Sequence, residues 1–253
     1  MIPLTIWMFW EDGFENAPPL VKLCLEQWRV RCPALNFQLL EQDAIETFLP
    51  DYKDRDITIQ AKSDILRMRL LSTYGGIWAD AATLPRVDVG LWIENLNSED
   101  FLAFSYENSE FLLSSWFIAA PKGSYILSKW AERTDEYWNS DRKLEVGPRQ
   151  PKRFKNRLLR QGNFLDIAHV NAHPYFWLHY LFDDLIQKDQ IAAQIWGDTA
   201  SPSSEVAHRL QSTLRKFGST RPRKLRRAWA ASPVHKLDWR LDIDEQFVKI
   251  LGL

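Results

Sequence analysis

The spacing of apolar residues over the first 80 positions predicts alternating strands and helices. A continuous apolar run, Leu4–Trp10, is typical of a central parallel strand that is buried on both faces. Apolar residues then recur at helical spacing over residues 20–28, and they alternate with polar residues over residues 35–39. The pattern therefore indicates a helix followed by a second strand.

A longer helix is predicted over residues 60–74, and Gly75 is its expected stop. The short apolar run Gly75–Ala79 follows as a third strand, which puts Asp80 where a buried strand reaches the surface. This β-α-β-α-β order favours a parallel α/β sheet. Ligands of such sheets bind beyond the carboxyl ends of the strands, so we expect Trp10 and Asp80 to face one cleft.

The remainder of the chain is predicted to be mainly helical. Two more strands are expected at 101–105 and 113–119, followed by helices from 124 to about 138, over 173–188 and over 203–217. Residues 139–165 are polar and basic, and we interpret them as a loop or a short helix.

Composition and charge narrow the classes of function. The formal net charge is −1, so no overall field favours nucleic acid as a partner. Cys24 and Cys32 are the two cysteines, and they indicate buried thiols in a reducing compartment, neither a disulfide framework nor a metal site. No apolar run has the length of a membrane span, and the N-terminus is interpreted as a first strand, not as a signal peptide.

Aromatic and basic residues allow further interpretations. The twelve tryptophans form either a large aromatic core or, in part, a site where indoles stack on flat rings or sugar faces. Residues 206–231 contain eight Lys or Arg and no acid. This segment is a solvated face, a patch for diphosphate substrates, or a surface for an anionic membrane.

Four side chains are candidates for chemistry on their positions alone. Asp80, at a strand end, either caps the structure or holds a divalent cation or a ribose hydroxyl. His235 adds a ligand if the C-terminal segment folds back, and is otherwise a capping or surface histidine. Asp64 and Arg67 lie one helical turn apart and form a surface ion pair, or they bind substrate hydroxyls and phosphate. The sequence has no Walker loop, nucleophile elbow or GxGxxG motif, which argues against the commonest NTPase, hydrolase and dehydrogenase sites.

Several motifs together resemble the DXD-containing sugar transferases. That group includes capsular polysaccharide synthesis proteins, Och1-like sugar transferases and, more distantly, the large clostridial glucosylating toxins. The strongest motif is the helix Ser63–Arg67 followed by Tyr74–Asp80, in which a double glycine, an aromatic residue and an aspartate occur in order. Further similar segments lie along nearly the whole chain, at residues 2–10, 115–120, 175–179 and 232–237.

The resemblance implies a glycosyltransferase of the GT-A type. Its fold would be an α/β Rossmann-type mixed sheet flanked by helices, with a helical C-terminal half, in a single domain over 1–253. Residues 1–90 would bind the nucleotide sugar, and 91–253 would form the acceptor side and a closing C-terminal segment. The implied reaction moves a sugar, with retention, from a UDP-sugar (or a GDP-sugar) to a glycan or lipid-linked glycan in surface or capsular polysaccharide synthesis. The expected setting is the bacterial cytoplasm, including the inner face of the membrane.

The resemblance also assigns roles to individual residues. Asp64, Arg67 and Asp80 would be catalytic. The donor would be bound by Trp10 stacked on the nucleobase, by Trp78 against the nucleotide, by Asp64, Arg67 and Asp80 at the sugar and diphosphate, and by His235 and Lys236 from the closing segment. A divalent cation, Mn²⁺ or Mg²⁺, would bind at Asp80 and His235. The acceptor would contact Trp116, His173, His179 and Asp183.

The sequence departs from the motif at one position. Ala82 stands where the second Asp of DXD would bind the metal. Three explanations stay open at this point. Asp80, the diphosphate, His235 and water hold the metal, or Lys236 and Arg67 replace it, or the chain is a weakly active or non-catalytic nucleotide-sugar or glycan-binding relative.

Overall fold

A five-stranded mixed sheet forms the centre of the computed structural model, which describes residues 1–96, 100–106, 111–139, 143–146 and 172–253. In spatial order its strands are β2 (Asn36–Leu40), β1 (Thr5–Phe9), β3 (Gly76–Ala79), β6 (Leu113–Ala120) and β5 (Leu102–Ser105). Strands β2, β1 and β3 run parallel, whereas β6 and β5 are antiparallel to their neighbours. The three parallel strands put their carboxyl ends at one edge of the sheet, where a ligand site is expected.

Helices flank this sheet and dominate the C-terminal half. In chain order they are α1 (Pro19–Arg31), α2 (Gln42–Phe48), α3 (Ile59–Tyr74), α4 (Val89–Asn95), α5 (Tyr125–Trp138), α6 (Trp177–Lys188), α7 (Gln190–Asp198), α8 (Ser204–Ala207), α9 (Arg209–Phe217), α10 (Pro222–Ala230) and α11 (Glu245–Leu251). Single 3-10 turns lie at Pro50–Tyr52 and Gly218–Thr220. None of the helices in the described part of the chain combines the length and apolar character needed to cross a bilayer.

Two glycines join α3 to β3 and permit the backbone path there. Gly75 has φ +70° and Gly76 has φ +100°, conformations that favour glycine. A Cβ on Gly76 would lie 2.5 Å from the carbonyl oxygen of Thr5, and one on Gly75 would lie 2.5 Å from the backbone nitrogen of Lys122. Trp7 then donates a hydrogen bond from Nε1 to the Gly75 carbonyl at 3.0 Å. The double glycine therefore lets β3 pack directly against β1.

A second, two-stranded sheet brings the C-terminal segment back to the first half of the chain. Strand β4 (Thr83–Pro85) pairs antiparallel with β9 (Val234–Lys236), in a register that sets Thr83 opposite Lys236 and Leu84 opposite His235. The pairing continues as the amide of Leu237 donates to the carbonyl of Ala82 at 2.9 Å. The segment that follows β3 and the segment Val234–Leu237 are thus held side by side. The remaining strands, β7 (Lys143–Val146) and β8 (Ala172–Pro174), form a parallel pair.

Most predicted elements are confirmed, including the mixed sheet flanked by helices and the largely helical C-terminal half. Two helices were predicted wrongly. The helix expected over 173–188 begins only at Trp177, since 172–174 form β8, and the one expected over 203–217 is divided at His208 into α8 and α9. Both cysteines are free and buried, as expected. Within the loop or short helix expected over 139–165, Lys143–Val146 instead form strand β7, and most of the remainder lies outside the described residues.

Candidate functional site

A cavity of about 680 Å³ opens at the carboxyl ends of β1 and β3. Trp10 directly follows β1 and Asp80 directly follows β3, and both line this cavity as the sequence predicted. Its other walls come from α3, β6, the start of α6 and the residues around β9. Of the candidate site residues, the lining includes Trp10, Asp64, Arg67, Trp78, Asp80, Trp116, His179 and Lys236.

Asp80 lies between two cations at the edge of this cavity. Its Oδ1 accepts hydrogen bonds from Nη2 of Arg67 at 2.9 Å and from Nε1 of Trp78 at 3.0 Å, and its Oδ2 accepts one from Nζ of Lys236 at 2.9 Å. Burial raises the pKa of Asp80, but Lys236 and Arg67 outweigh that effect and hold the pKa below its ordinary value. Asp80 is therefore an ionised carboxylate with both oxygens engaged.

Asp64 and Arg67 lie on one face of α3, and that face forms a wall of the cavity. Nη1 of Arg67 is 2.9 Å from Oδ1 of Asp64, and the Arg67 side chain is only 4% exposed. Its guanidinium also lies over the ring of Trp78, 4.9 Å from the centroid. The interpretation of this pair as a helix-surface ion pair is therefore wrong, because Arg67 is a buried cation that joins Asp64 to Asp80.

The two carboxyls next to Arg67 have different proton affinities. Burial raises the pKa of Asp64 to about 6, with Arg67 opposing the rise and Asp80 adding to it. The pKa of Asp80 is instead lowered, because it has a second cation, Lys236, within hydrogen-bond distance. Near neutral pH the site thus holds one firmly ionised carboxylate and one that takes up a proton under mildly acidic conditions.

Three ring nitrogens of residues that line the cavity have no hydrogen-bond partner among the described residues. They are Nδ1 of His179 and Nε1 of Trp177, both on α6, and Nε1 of Trp116, on β6. His179 packs against the rings of Phe111 and Phe176, and burial, with Arg67 nearby, lowers its pKa to about 3. A neutral imidazole and an indole N–H are suited to hydrogen bonds with uncharged ligand groups such as hydroxyls.

Aromatic residues that were not predicted also line the cavity. Trp239 meets Trp10 edge to face, with ring centroids 5.8 Å apart, and it remains 39% exposed. Tyr106, Tyr175 and His208 also line the space. Trp239 follows Lys236 by three residues, so the return of the C-terminal segment was a usable signal for it, whereas no local pattern marked His208.

Two assigned residues lie elsewhere. His235 is fully buried on the side of β9 opposite Lys236, because neighbouring side chains of a strand point to opposite faces. Its Nε2 is 2.9 Å from the Trp229 carbonyl oxygen, and its ring stacks on that of Trp229. Asp183 accepts a hydrogen bond from the Leu112 amide at 3.2 Å and is not among the lining residues. His173 has its backbone in β8, and its side chain lies outside the described part of the structure.

The residues present do not fit the divalent cation that the resemblance implies. Mg²⁺ and Mn²⁺ need several oxygen or nitrogen ligands, yet both oxygens of Asp80 already accept from the chain's own cations. Ala82 offers a buried methyl group, and His235 faces away. Within the described ranges no three His, Cys, Asp or Glu side chains are grouped as metal ligands. The prediction that His235 binds the metal together with Asp80 is therefore wrong.

Curated relatives match about half of the chain. An O-glycosyltransferase, braB, of Annulohypoxylon truncatum is 27% identical over 162 residues, which cover 53% of this chain and 38% of the relative. A glycosyltransferase, afumC, of Aspergillus fumigatus is 26% identical over 162 residues, covering 53% and 40%. The chain thus spans about two fifths of the length of these fungal relatives.

The comparison with solved structures finds glycosyltransferase domains, including one of a toxin. The ligand-free domain of the YGT toxin has 9% identity and a TM-score of 0.49, covering 99% of this chain and 88% of that one. The PaToxG glycosyltransferase has 14% identity and a TM-score of 0.42, covering 92% and 89%.

A match to a family model identifies the family. The model described as capsular polysaccharide synthesis protein matches residues 1–145, which is more than half of the 253 residues. The matched region contains α3, the double glycine, β3 and Asp80, the elements that form one wall of the cavity. On the extent of this match, the chain belongs to the capsular polysaccharide synthesis protein family.

Proposed function

We propose that this chain is a GT-A-type glycosyltransferase that takes a sugar from a nucleotide-sugar donor. The observation that carries the proposal is the row of contacts that joins Asp64, Arg67, Asp80 and Lys236 in the cavity, which the paired Trp10 and Trp239 indoles also line. Carboxylate, cation and aromatic faces match the sugar hydroxyls, the diphosphate and the base of such a donor. The two curated relatives described above are named as glycosyltransferases, which supports the same activity.

In this proposal each residue has one part in binding the donor. The base stacks at Trp10, and the sugar hydroxyls donate to Asp64. Arg67 and Lys236 face the diphosphate, and Trp78 and Asp80 hold these two cations in position. A UDP-sugar is the favoured donor, and a GDP-sugar is the alternative.

The difficult event is cleavage of the bond between the anomeric carbon and the diphosphate. Its electron pair goes to the leaving phosphate oxygen, and fixed positive charge near that oxygen stabilises it. The acceptor hydroxyl forms the new bond to the anomeric carbon, and its proton passes to the leaving phosphate. Because the phosphate takes the proton, transfer with retention needs no separate carboxylate base.

The acceptor is proposed to be a glycan or a lipid-linked glycan in surface polysaccharide synthesis. His179 and Trp116 support this, because each offers an unpaired ring nitrogen to a hydroxyl. In this arrangement residues 1–90 hold the donor together with Lys236 of the closing C-terminal segment, and the later part of a single domain supplies the acceptor side. The description of the family, which names capsular polysaccharide, supports the same class of product.

A basic surface on α9 and α10 supports peripheral association with an anionic membrane. All eight basic residues of segment 206–231 are exposed, and they are Arg209, Arg215, Lys216, Arg221, Arg223, Lys224, Arg226 and Arg227. Each basic residue near an anionic bilayer contributes about 1 kcal/mol, so half of them would supply about 4 kcal/mol. Co-sedimentation with phosphatidylglycerol vesicles and no binding to phosphatidylcholine vesicles is expected. Equal binding to both would contradict a cytoplasmic protein held at the inner membrane face by charge.

Turnover with a panel of UDP- and GDP-sugars tests the activity. Release of nucleotide, accelerated by a glycan or lipid-linked acceptor, is expected with at least one donor. The non-catalytic alternative, which Ala82 motivates, predicts donor binding without release under every condition. Asp80→Asn should lower turnover by about a hundredfold or more, because it frees two cations from their position. Asp135→Asn, an exposed carboxylate on α5, is the matched control.

A further inference from the structure

Asp80 is neutralised by cations that belong to the chain. Arg67 and Lys236 each lie 2.9 Å from one of its oxygens. In a metal-dependent site a carboxylate in this place directs free lone pairs at the ion. Here both oxygens already accept hydrogen bonds from the chain, and a dication bound to Oδ2 would be held within a few ångströms of the Lys236 ammonium. Like charges at such a distance repel strongly in a partly buried site.

Lys236 is also available to a ligand in a way that a purely structural lysine is not. Its side chain is 22% exposed and lines the cavity, whereas the Arg67 side chain is 4% exposed. An ammonium has three N–H donors, and the described contacts use one of them, on Asp80. Strand β9 fixes the residue in place through its pairing with β4, so Lys236 needs no large rearrangement to face a ligand.

We infer that Lys236, supported by Arg67, takes the place of a divalent metal and binds the diphosphate of the donor directly. The inference rests on the proposed function. Two remaining ammonium protons point to phosphate oxygens, while Asp80 anchors the third. As the anomeric bond breaks, negative charge grows on the leaving diphosphate, and the Lys236 charge stabilises it without any ligand exchange. Ala82 is consistent with this arrangement, because a second carboxylate there would compete with the diphosphate for Lys236.

Calorimetric titration with UDP tests the inference apart from turnover. With EDTA present, the wild-type chain should bind UDP with an affinity within about twofold of that measured with Mn²⁺. Lys236→Met should weaken UDP binding by about tenfold to a hundredfold, the usual effect of losing a hydrogen bond to a charged group. Lys236→Arg should restore most of it. Lys249→Met, an exposed lysine on α11, is the matched control and should bind as the wild type does.

The double variant Ala82→Asp with Lys236→Ala tests the reverse arrangement, in which a metal replaces the lysine. This double variant has the second carboxylate and lacks the ammonium, and its UDP binding should become dependent on Mn²⁺. A wild-type chain that binds UDP only with Mn²⁺, or a Lys236→Met variant that binds it normally, would overturn the inference and leave the proposed function standing. Binding of UDP without turnover of any donor would refute the activity alone. Failure to bind UDP or GDP in either condition would overturn both.

Discussion

Replacing Asp64 with asparagine should stabilise the folded protein near neutral pH. The carboxyl of Asp64 binds its proton more tightly in the folded state, where its pKa is about 6, than in the unfolded chain, where it is near 3.8. Folded protein therefore loses stability relative to unfolded chain as the pH rises from about 4 to 6. The difference in pKa corresponds to about 3 kcal/mol at 1.36 kcal/mol per pKa unit. Asparagine has the same shape without the charge, so it removes this cost.

Urea unfolding followed by tryptophan fluorescence, at a series of pH values, measures the effect. The free energy of unfolding of Asp64→Asn should equal that of the wild type near pH 4 and exceed it by up to about 3 kcal/mol at pH 7.5. Asp135→Asn, which removes an exposed carboxylate that pairs with Arg69, is the control for loss of a carboxylate outside the cavity. A constant difference for Asp64→Asn, or a loss of stability at pH 7.5, would refute the reasoning. The same variant should lose donor turnover, as expected where a site stores unfavourable charge for function.

Other predictions follow from the same contacts. The value of kcat/KM should rise through pH 6 as Asp64 ionises, and this limb should be absent from any residual activity of Asp64→Asn. Trp10→Ala should weaken nucleotide binding by about 1–3 kcal/mol in calorimetry, with Trp10→Phe retaining most of it. Gly76→Ala should lower the free energy of unfolding by about 3 kcal/mol in urea titrations, because its Cβ would meet the Thr5 carbonyl oxygen at a positive φ. His235→Gln should leave kcat/KM within about twofold of wild type, since a ring buried on Trp229 does not reach the donor, and a hundredfold loss without unfolding would contradict its placement.

The parts of the fold that could be predicted are those with a strong local pattern. The run Leu4–Trp10 is apolar apart from Thr5, because the side chains on both faces of β1 are buried in the core. The glycines after Tyr74 mark a backbone that no other residue adopts cheaply. The start of α6 was missed for a related reason. The extended and the helical residues of segment 173–188 do not differ enough in apolar content for the pattern to separate them. Pro174 marks the boundary between them only weakly.

The candidate site could be predicted where one element carries several of its residues. Asp64 and Arg67 share a helical face, and Trp78 and Asp80 share a strand end, so spacing alone puts them together. Tyr106, Tyr175 and His208 come from three separate parts of the chain. Their meeting at the cavity depends on long-range packing that no periodicity records.

The hydrophobic pattern does not show whether His235 or Lys236 faces the cavity, but the charge of Asp80 does. Val234, His235 and Leu237 are all buried, so both faces of β9 are covered and alternation does not reveal which neighbour faces the cavity. Asp80 supplies the missing criterion. The ionised carboxylate of Asp80 has no second metal-binding carboxylate at position 82, and it needs a permanent positive charge beside it. His235 does not supply that charge, because burial lowers its pKa to about 4 and the imidazole is neutral at pH 7. Lysine meets that need, and the register of three residue pairs with β4 brings its ammonium to the carboxylate.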